Sequence, residues 1–310
     1  MSKEATRNAY GKALAELIVE RDDIVVLDAD LTKSTKTIDA KNARADHHFN
    51  MGIAEGNMMS VAAGLASSGF KVYASTFAIF AAGRGYEQIR NSVGYPHLNV
   101  KVCATHAGIT VGEDGATHQS FEDLALMREI PGMSVFSPCD AAQAKAIVKA
   151  VADIEGPCYV RLGRGNVEDV YADEAASFTF GKANVLKQGE KVALVATGMM
   201  VQEALEAVKT LEAQGKNVTV VDIHTIKPID EATIIELAKT HDTLITCEEH
   251  SVIGGLGSAV AEVVVKKAPV KMEMIGMQDT YGESGTPAEL LAKYKLNAEA
   301  IVEKVNQVWA

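Results

Sequence analysis

Apolar residues recur along the chain in two rhythms, one helical and one of short unbroken runs. Ala9, Ala13, Leu14, Leu17 and Ile18 fall at helical spacing and predict a helix over residues 5–20. Ile24-Val25-Val26-Leu27 predicts a short buried strand ending in Asp28-Ala29-Asp30, followed by a polar loop from Thr32 to Thr37. A helix is predicted through Ala62, Ala63, Leu65 and Ala66 to about Ser68, then a turn and strand over 69–74. Residues 77–92 predict a helix with Phe80, Tyr86 and Ile89 among its larger apolar residues, and 100–104 a strand. A short helix over 123–128, a strand over 133–137, a helix over 141–151 and a strand over 158–162 complete this half.

The rhythm is lost over residues 163–190, where Gly163-Arg164-Gly165-Asn166 and a run of acids stand instead. It resumes as a strand at 192–198, a helix at 202–214, a strand at 217–223, a helix at 230–240 and a strand at 243–247. A helix opening at Gly254-Gly255-Leu256-Gly257 and a strand near 270–275 follow. Alternating apolar strands and helices predict an α/β fold of two doubly wound domains, each with a mostly parallel sheet. The boundaries are placed at 1–165 and 186–310, with a linker over 166–185.

Composition narrows the function classes. The chain has 310 residues, 47% of them hydrophobic, and a net charge of −11. That acidity argues against nucleic acid or an anionic membrane as the main partner, because phosphate backbones need a basic surface. Cys103, Cys139, Cys158 and Cys247 are widely spaced and predict buried thiols in a reducing compartment, not a disulfide frame or zinc site. The sequence Met-Ser-Lys-Glu-Ala-Thr-Arg carries no apolar signal core, and no run of about 18 apolar residues occurs, so a cytoplasmic protein is expected.

Candidate chemistry gathers in two stretches. In Met51-Gly-Ile-Ala-Glu-Gly-Asn-Met-Met-Ser60 a single acid, Glu55, stands in an apolar run. It is either a helix-start acid favoured by the helix dipole or a buried carboxyl that needs a partner. In Thr105-His-Ala-Gly-Ile-Thr-Val-Gly-Glu-Asp-Gly-Ala-Thr-His-Gln119, two histidines, two acids and three glycines fall within fifteen residues. Glycines let backbone approach a ligand, and His–acid pairs suit proton transfer near neutral pH, so a small-molecule site is favoured over a structural loop. Phe77 and Phe80 lie on a helix face and are, by themselves, core aromatics. Gly254-Gly255-x-Gly257 lacks full dinucleotide spacing and predicts tight helix–sheet packing, while Glu248, Glu249 and His250 predict a polar strand end.

Taken together, Gly-Ile-Ala-Glu55-Gly-Asn-Met, Ser75-Thr-Phe-Ala-Ile-Phe80, Gly112-Glu-Asp-Gly-Ala-Thr-His-Gln119 and Pro138-Cys-Asp140 resemble transketolase. The resemblance spans the pyrimidine-binding and C-terminal domains and is nearest to the C-terminal half of a split, two-subunit enzyme. It implies thiamine diphosphate as cofactor, with Glu55 hydrogen-bonding the pyrimidine ring nitrogen and so activating it. It implies Phe80 and Phe77 packing on that ring and Asp30 supporting the pocket from the strand end. It places His118 near the reacting carbonyl of the sugar, Asp114 at a hydroxyl, and Arg7, Ser34, His106 and Arg164 around a terminal phosphate. Long-chain members carry a further aromatic where Ala81-Ala82-Gly83 stands here. The family's Gly-Asp-Gly, which holds diphosphate through Mg2+, does not occur, so the metal and diphosphate are implied to sit on an N-terminal partner subunit, with no metal ligand on this chain. Two copies of each subunit follow as the natural assembly. The implied reaction moves a two-carbon ketol unit from a ketose phosphate to an aldose phosphate in the pentose phosphate pathway. The alternatives are a deoxyxylulose phosphate synthase, which carries the diphosphate domain on the same chain, the beta subunit of a 2-oxoacid dehydrogenase, whose loop does not usually read Asp-Gly-x-Thr-His-Gln, and a non-catalytic paralogue.

Overall fold

A computed structural model describes residues 3–309. The apolar runs become strands because their side chains are buried on both sheet faces. In the first half these are β1 (Lys3–Ala5), β2 (Ile24–Asp28), β3 (His48–Asn50), β4 (Lys71–Phe77), β5 (Val100–Thr105), β6 (Ser134–Phe136), β7 (Cys158–Arg161) and β8 (Asn166–Glu168). In the second half they are β9 (Asn184–Lys187), β10 (Val192–Ala196), β11 (Thr219–Asp222), β12 (Thr225–Lys227), β13 (Thr243–Ser251) and β14 (Lys271–Met277). One seven-stranded sheet has the order β12-β6-β7-β5-β4-β2-β3, and one five-stranded sheet the order β14-β13-β10-β11-β9. Every pairing in the first is parallel except β12 with β6, and every pairing in the second is parallel except β9 with β11. The chain is a mixed α/β protein with two parallel-rich sheets.

In the first sheet, strand order reverses between β2 and β4. A crevice opens at such a reversal, outside the carboxyl ends of the strands. The register aligns Asp28 with both Asn50 and Ser75, and Phe77 with Thr105, so the ends of four strands converge there.

Several expectations change. Residues 32–37 are not plain loop: Thr32–Thr35 and Ile38–Ala43 are helical. Asp28 organises this turn by accepting hydrogen bonds from the Thr32 and Thr37 hydroxyls and the Leu31 N–H, at 3.0, 2.9 and 3.3 Å. Phe77 is not on a helix: it is the last residue of β4, and the helix runs Ala78–Arg84. The expected single helix to residue 92 breaks at Gly85 and continues as Tyr86–Gln88 and a wider π turn, Ile89–Gly94. Two further helices, Pro287–Lys293 and Ala298–Val308, pack beyond the last expected strand.

The two halves interlock. β12 comes from the second half yet completes the first sheet, with Thr225 opposite Phe136 and Lys227 opposite Val135. One apolar core contains Val135 and Tyr159 together with Val195, Val221, Ile223 and Ile226. The rhythm-poor segment is also tied down: β8 pairs with β1, and Asp140 accepts the Val170 and Tyr171 N–H groups at 2.7 and 2.8 Å. All four cysteines are free and buried. No helix among the described residues is long and apolar enough to cross a membrane.

Candidate active site

The sequence stretches singled out for chemistry meet at the crevice of the first sheet. Glu55 opens the helix Glu55–Ser67, where the N-terminal dipole favours an acid, and its carboxylate is buried. Arg84 Nη1 reaches Glu55 Oε1 at 3.3 Å from the end of the next helix. The same guanidinium stands over the Phe80 ring, 4.6 Å from its centroid. Phe80 stacks on Phe77 at 5.7 Å with the rings only 9° from parallel. Phe77 in turn stacks on His106 at 3.8 Å, and both phenyl rings meet His118 edge-on. An unbroken run of contacts thus joins Glu55, Arg84, Phe80, Phe77, His106 and His118.

A cationic corner closes this run. Arg7 Nη1 lies 3.3 Å from His106 Nε2 and donates to the Ser34 carbonyl at 2.9 Å, while Arg7 Nε donates to the Arg164 carbonyl at 3.2 Å. Arg164 itself donates to the Val111 carbonyl and, at 3.0 Å, to Glu113 Oε2. Burial and the neighbouring charges of Arg7, Arg164 and His118 push His106 down to about 3, so it is neutral at working pH. Thr105 Oγ1 lies 2.9 Å from its Nδ1 and fixes the ring. Two guanidinium groups beside a neutral imidazole form a setting that suits a doubly charged anion.

Asp114 and His118 sit on the loop after β5; Asp114 is exposed and His118 half-buried. Asp30 is exposed, with φ of 62°. Its N–H donates to Asn50 Oδ1 at 3.2 Å, and Asn50 also accepts the Gly52 N–H, linking Asp30 to the turn before Glu55. The fully buried acid of that strand end is Asp28, bonded to His48 Nε2 at 2.8 Å. Burial pushes Asp28 up, yet hydrogen bonds from His48, Thr32 and Thr37 hold it below the usual carboxylate range. From sequence, Asp28, His48 and Asn50 were given no role of their own, and Arg84 was passed over. An apolar run ending in an acid was the available signal for Asp28; a lone arginine in a helix gives none for Arg84.

The glycines at 254–257 pack tightly, as expected. A Cβ on Gly255 would lie 2.0 Å from Glu248 Oε2. Glu248 instead caps the helix Leu256–Lys267 by accepting the Leu256 and Gly257 N–H groups at 2.6 and 2.8 Å.

Comparison with known proteins now decides the family. Residues 2–169 match the model of the transketolase pyrimidine binding domain, and residues 181–301 that of the transketolase C-terminal domain. The chain belongs to the transketolase family. Over 301 residues it is 47% identical to a transketolase C-terminal section of Methanocaldococcus jannaschii, covering 96% of this chain and 94% of that protein. It is 39% identical to a 6-deoxy-6-sulfo-D-fructose transketolase subunit of Clostridium sp. (strain MSTE9), covering 97% and 94%. A solved structure described as a split gene transketolase, inactive beta4 tetramer, is 55% identical, covers 98% of both chains and superposes with a TM-score of 0.91. The chain is therefore a split transketolase subunit, and the family implies thiamine diphosphate.

Its residues suit the pyrimidine end of that cofactor. Glu55 has one oxygen engaged by Arg84 and the other without a hydrogen bond among the described residues, and the same Arg84 links it to the Phe80 ring. Among the described residues, no group of three or more His, Cys, Asp or Glu side chains is placed to hold a metal ion.

Proposed function

We propose that this subunit, completed by an N-terminal partner, transfers a two-carbon ketol unit from a ketose phosphate to an aldose phosphate. The observation that carries this reading is the continuous contact run from the buried Glu55 carboxylate through Phe80 and Phe77 to His106 and Arg7. A buried acid, two phenyl rings, two imidazoles and two arginines along one crevice support it.

Glu55 shares a proton with the pyrimidine ring nitrogen of the cofactor. Phe80 and Phe77 hold that ring by stacking and keep water from it. Asp30, through Asn50, braces the turn that leads to Glu55. Bound thiamine diphosphate supplies the electron sink for cleaving the bond beside a ketose carbonyl. His118 hydrogen-bonds the sugar near that carbonyl, and Asp114 takes a hydroxyl. Arg7, Arg164 and neutral His106 bind the terminal phosphate, with Ser34 fixing Arg7 through its carbonyl. Mg2+ and the diphosphate belong to the partner, and two copies of each subunit form the assembly. The four buried thiols suit a reducing compartment, the cytoplasm.

Mixing tests the reading. The chain alone is inactive, and the chain with its partner, thiamine diphosphate and Mg2+ converts xylulose 5-phosphate and ribose 5-phosphate. Full activity without the partner rules out the two-subunit site. The similarity to a sulfofructose transketolase subunit makes 6-deoxy-6-sulfofructose the informative competitor, since a sulfonate and a phosphate fit one cationic corner. Preference for the sulfonate would exclude the pentose phosphate pathway as the physiological setting.

A further inference from the structure

The loop that carries Asp114 and His118 is held from the other half of the chain. Its ends meet, because the Gly108 N–H donates to the Ser120 carbonyl at 3.1 Å. Between them, Glu249 of β13 accepts the Thr110 N–H at 2.7 Å through Oε1. Glu249 is buried, and it lies so near the loop that a Cβ on Gly108 would come within 2.3 Å of its carboxyl carbon. The buried Arg161 at the end of β7 locks this arrangement. Its Nη2 donates to the Glu249 carbonyl at 2.9 Å and to the Ser120 carbonyl at 3.3 Å, while its Nε donates to Asp123 at 2.8 Å. Arg161 thus fixes the loop's exit and the backbone of Glu249, and Glu249 fixes the loop's entrance.

We propose that Glu249 is a positioning residue that sets the placement of residues 106–119 through its bond to the Thr110 N–H. This rests on the reading of that loop as sugar-binding. A buried glutamate here needs explanation, since desolvation opposes its charge. A backbone N–H left without an acceptor in the same place would release the loop, since no other acceptor meets the Thr110 N–H among the described residues. His106 lies four residues before Thr110 and Arg164 holds Val111, so slack at Thr110 reaches both the phosphate corner and His118.

The test uses the full chain assembled with its N-terminal subunit, wild type against Glu249→Ala and Glu249→Gln. Amide hydrogen exchange over residues 109–119 should rise about tenfold in the alanine variant, while β10 stays protected. The glutamine variant, which keeps an acceptor oxygen, should stay within about twofold of wild type. In the alanine variant the KM for the phosphorylated donor should rise about tenfold with kcat within about threefold. Unchanged loop exchange, loop and β10 exchanging together, loss of protection in the glutamine variant, or an unaltered KM would each overturn the proposal. If the wild-type complex lacks ketol transfer while the exchange pattern appears as stated, the functional reading fails and the positioning role stands.

Discussion

At the scale of single residues, the crevice shows how one buried acid is made useful. Glu55 is stabilised by a helix start and by Arg84, and its second oxygen accepts no hydrogen bond among the described residues. Glu55→Gln should lower ketol transfer at least about a hundredfold, with the far-ultraviolet circular dichroism spectrum unchanged. A wild-type rate would remove Glu55 from the mechanism. His118→Ala should reduce turnover more than thiamine diphosphate affinity, checked by steady-state kinetics beside cofactor titration. A different acid, Asp222, offers a test through pH. Burial raises it to about 7, against hydrogen bonds from Gln143 and Tyr171. A carboxyl raised above its unfolded value contributes stability below about pH 4 and loses that contribution as pH rises through about 7. Asp222→Asn should therefore gain on wild type between pH 5 and pH 8, by at least about 1 kcal/mol in urea denaturation. Equal differences at the two pH values would contradict the buried, raised carboxyl. Glu55 and His118 were legible because each stands in a motif, whereas Arg7 and Ser34 rested on the family resemblance alone. Arg84 was not legible: its importance depends on a helix end meeting a neighbouring helix start, a relation no local pattern encodes.

At the scale of elements, the alternation of runs and helical stripes was legible, and with it the α/β class. The misses share a cause. β12 is three residues long and exists only because β6 lies beside it. β3, also three residues, is held by β2. Such strands carry too little periodicity to announce themselves. The last two helices did leave a signal. Thr286 caps its helix with Glu289 three residues on, and Pro287 takes the first turn. The weight of β12 can be measured. Ile226 is 1% exposed and packs in the core shared by both halves. Ile226→Ala should cost about 2 kcal/mol or more, read from the shift in a urea melt.

At the scale of the whole molecule, the division expected near residues 166–185 runs through a shared interior. Val135 and Tyr159 lie in one cluster with Val195, Val221 and Ile223, and Glu249 reaches across to the loop of the first half. The full chain should unfold in one transition by fluorescence and circular dichroism together. A fragment of residues 1–165 should bind a hydrophobic dye strongly and self-associate in sedimentation velocity; a monodisperse, dye-silent fragment would show the halves to be independent.

The late arrival of β12 has a consequence for synthesis. While a ribosome is still making the middle of this chain, the edge of β6 has no neighbour, because the segment that covers it has not been translated. The nascent first half must wait with a bare strand edge, so chaperone capture at that stage should be relieved only once residue 227 has cleared the exit tunnel.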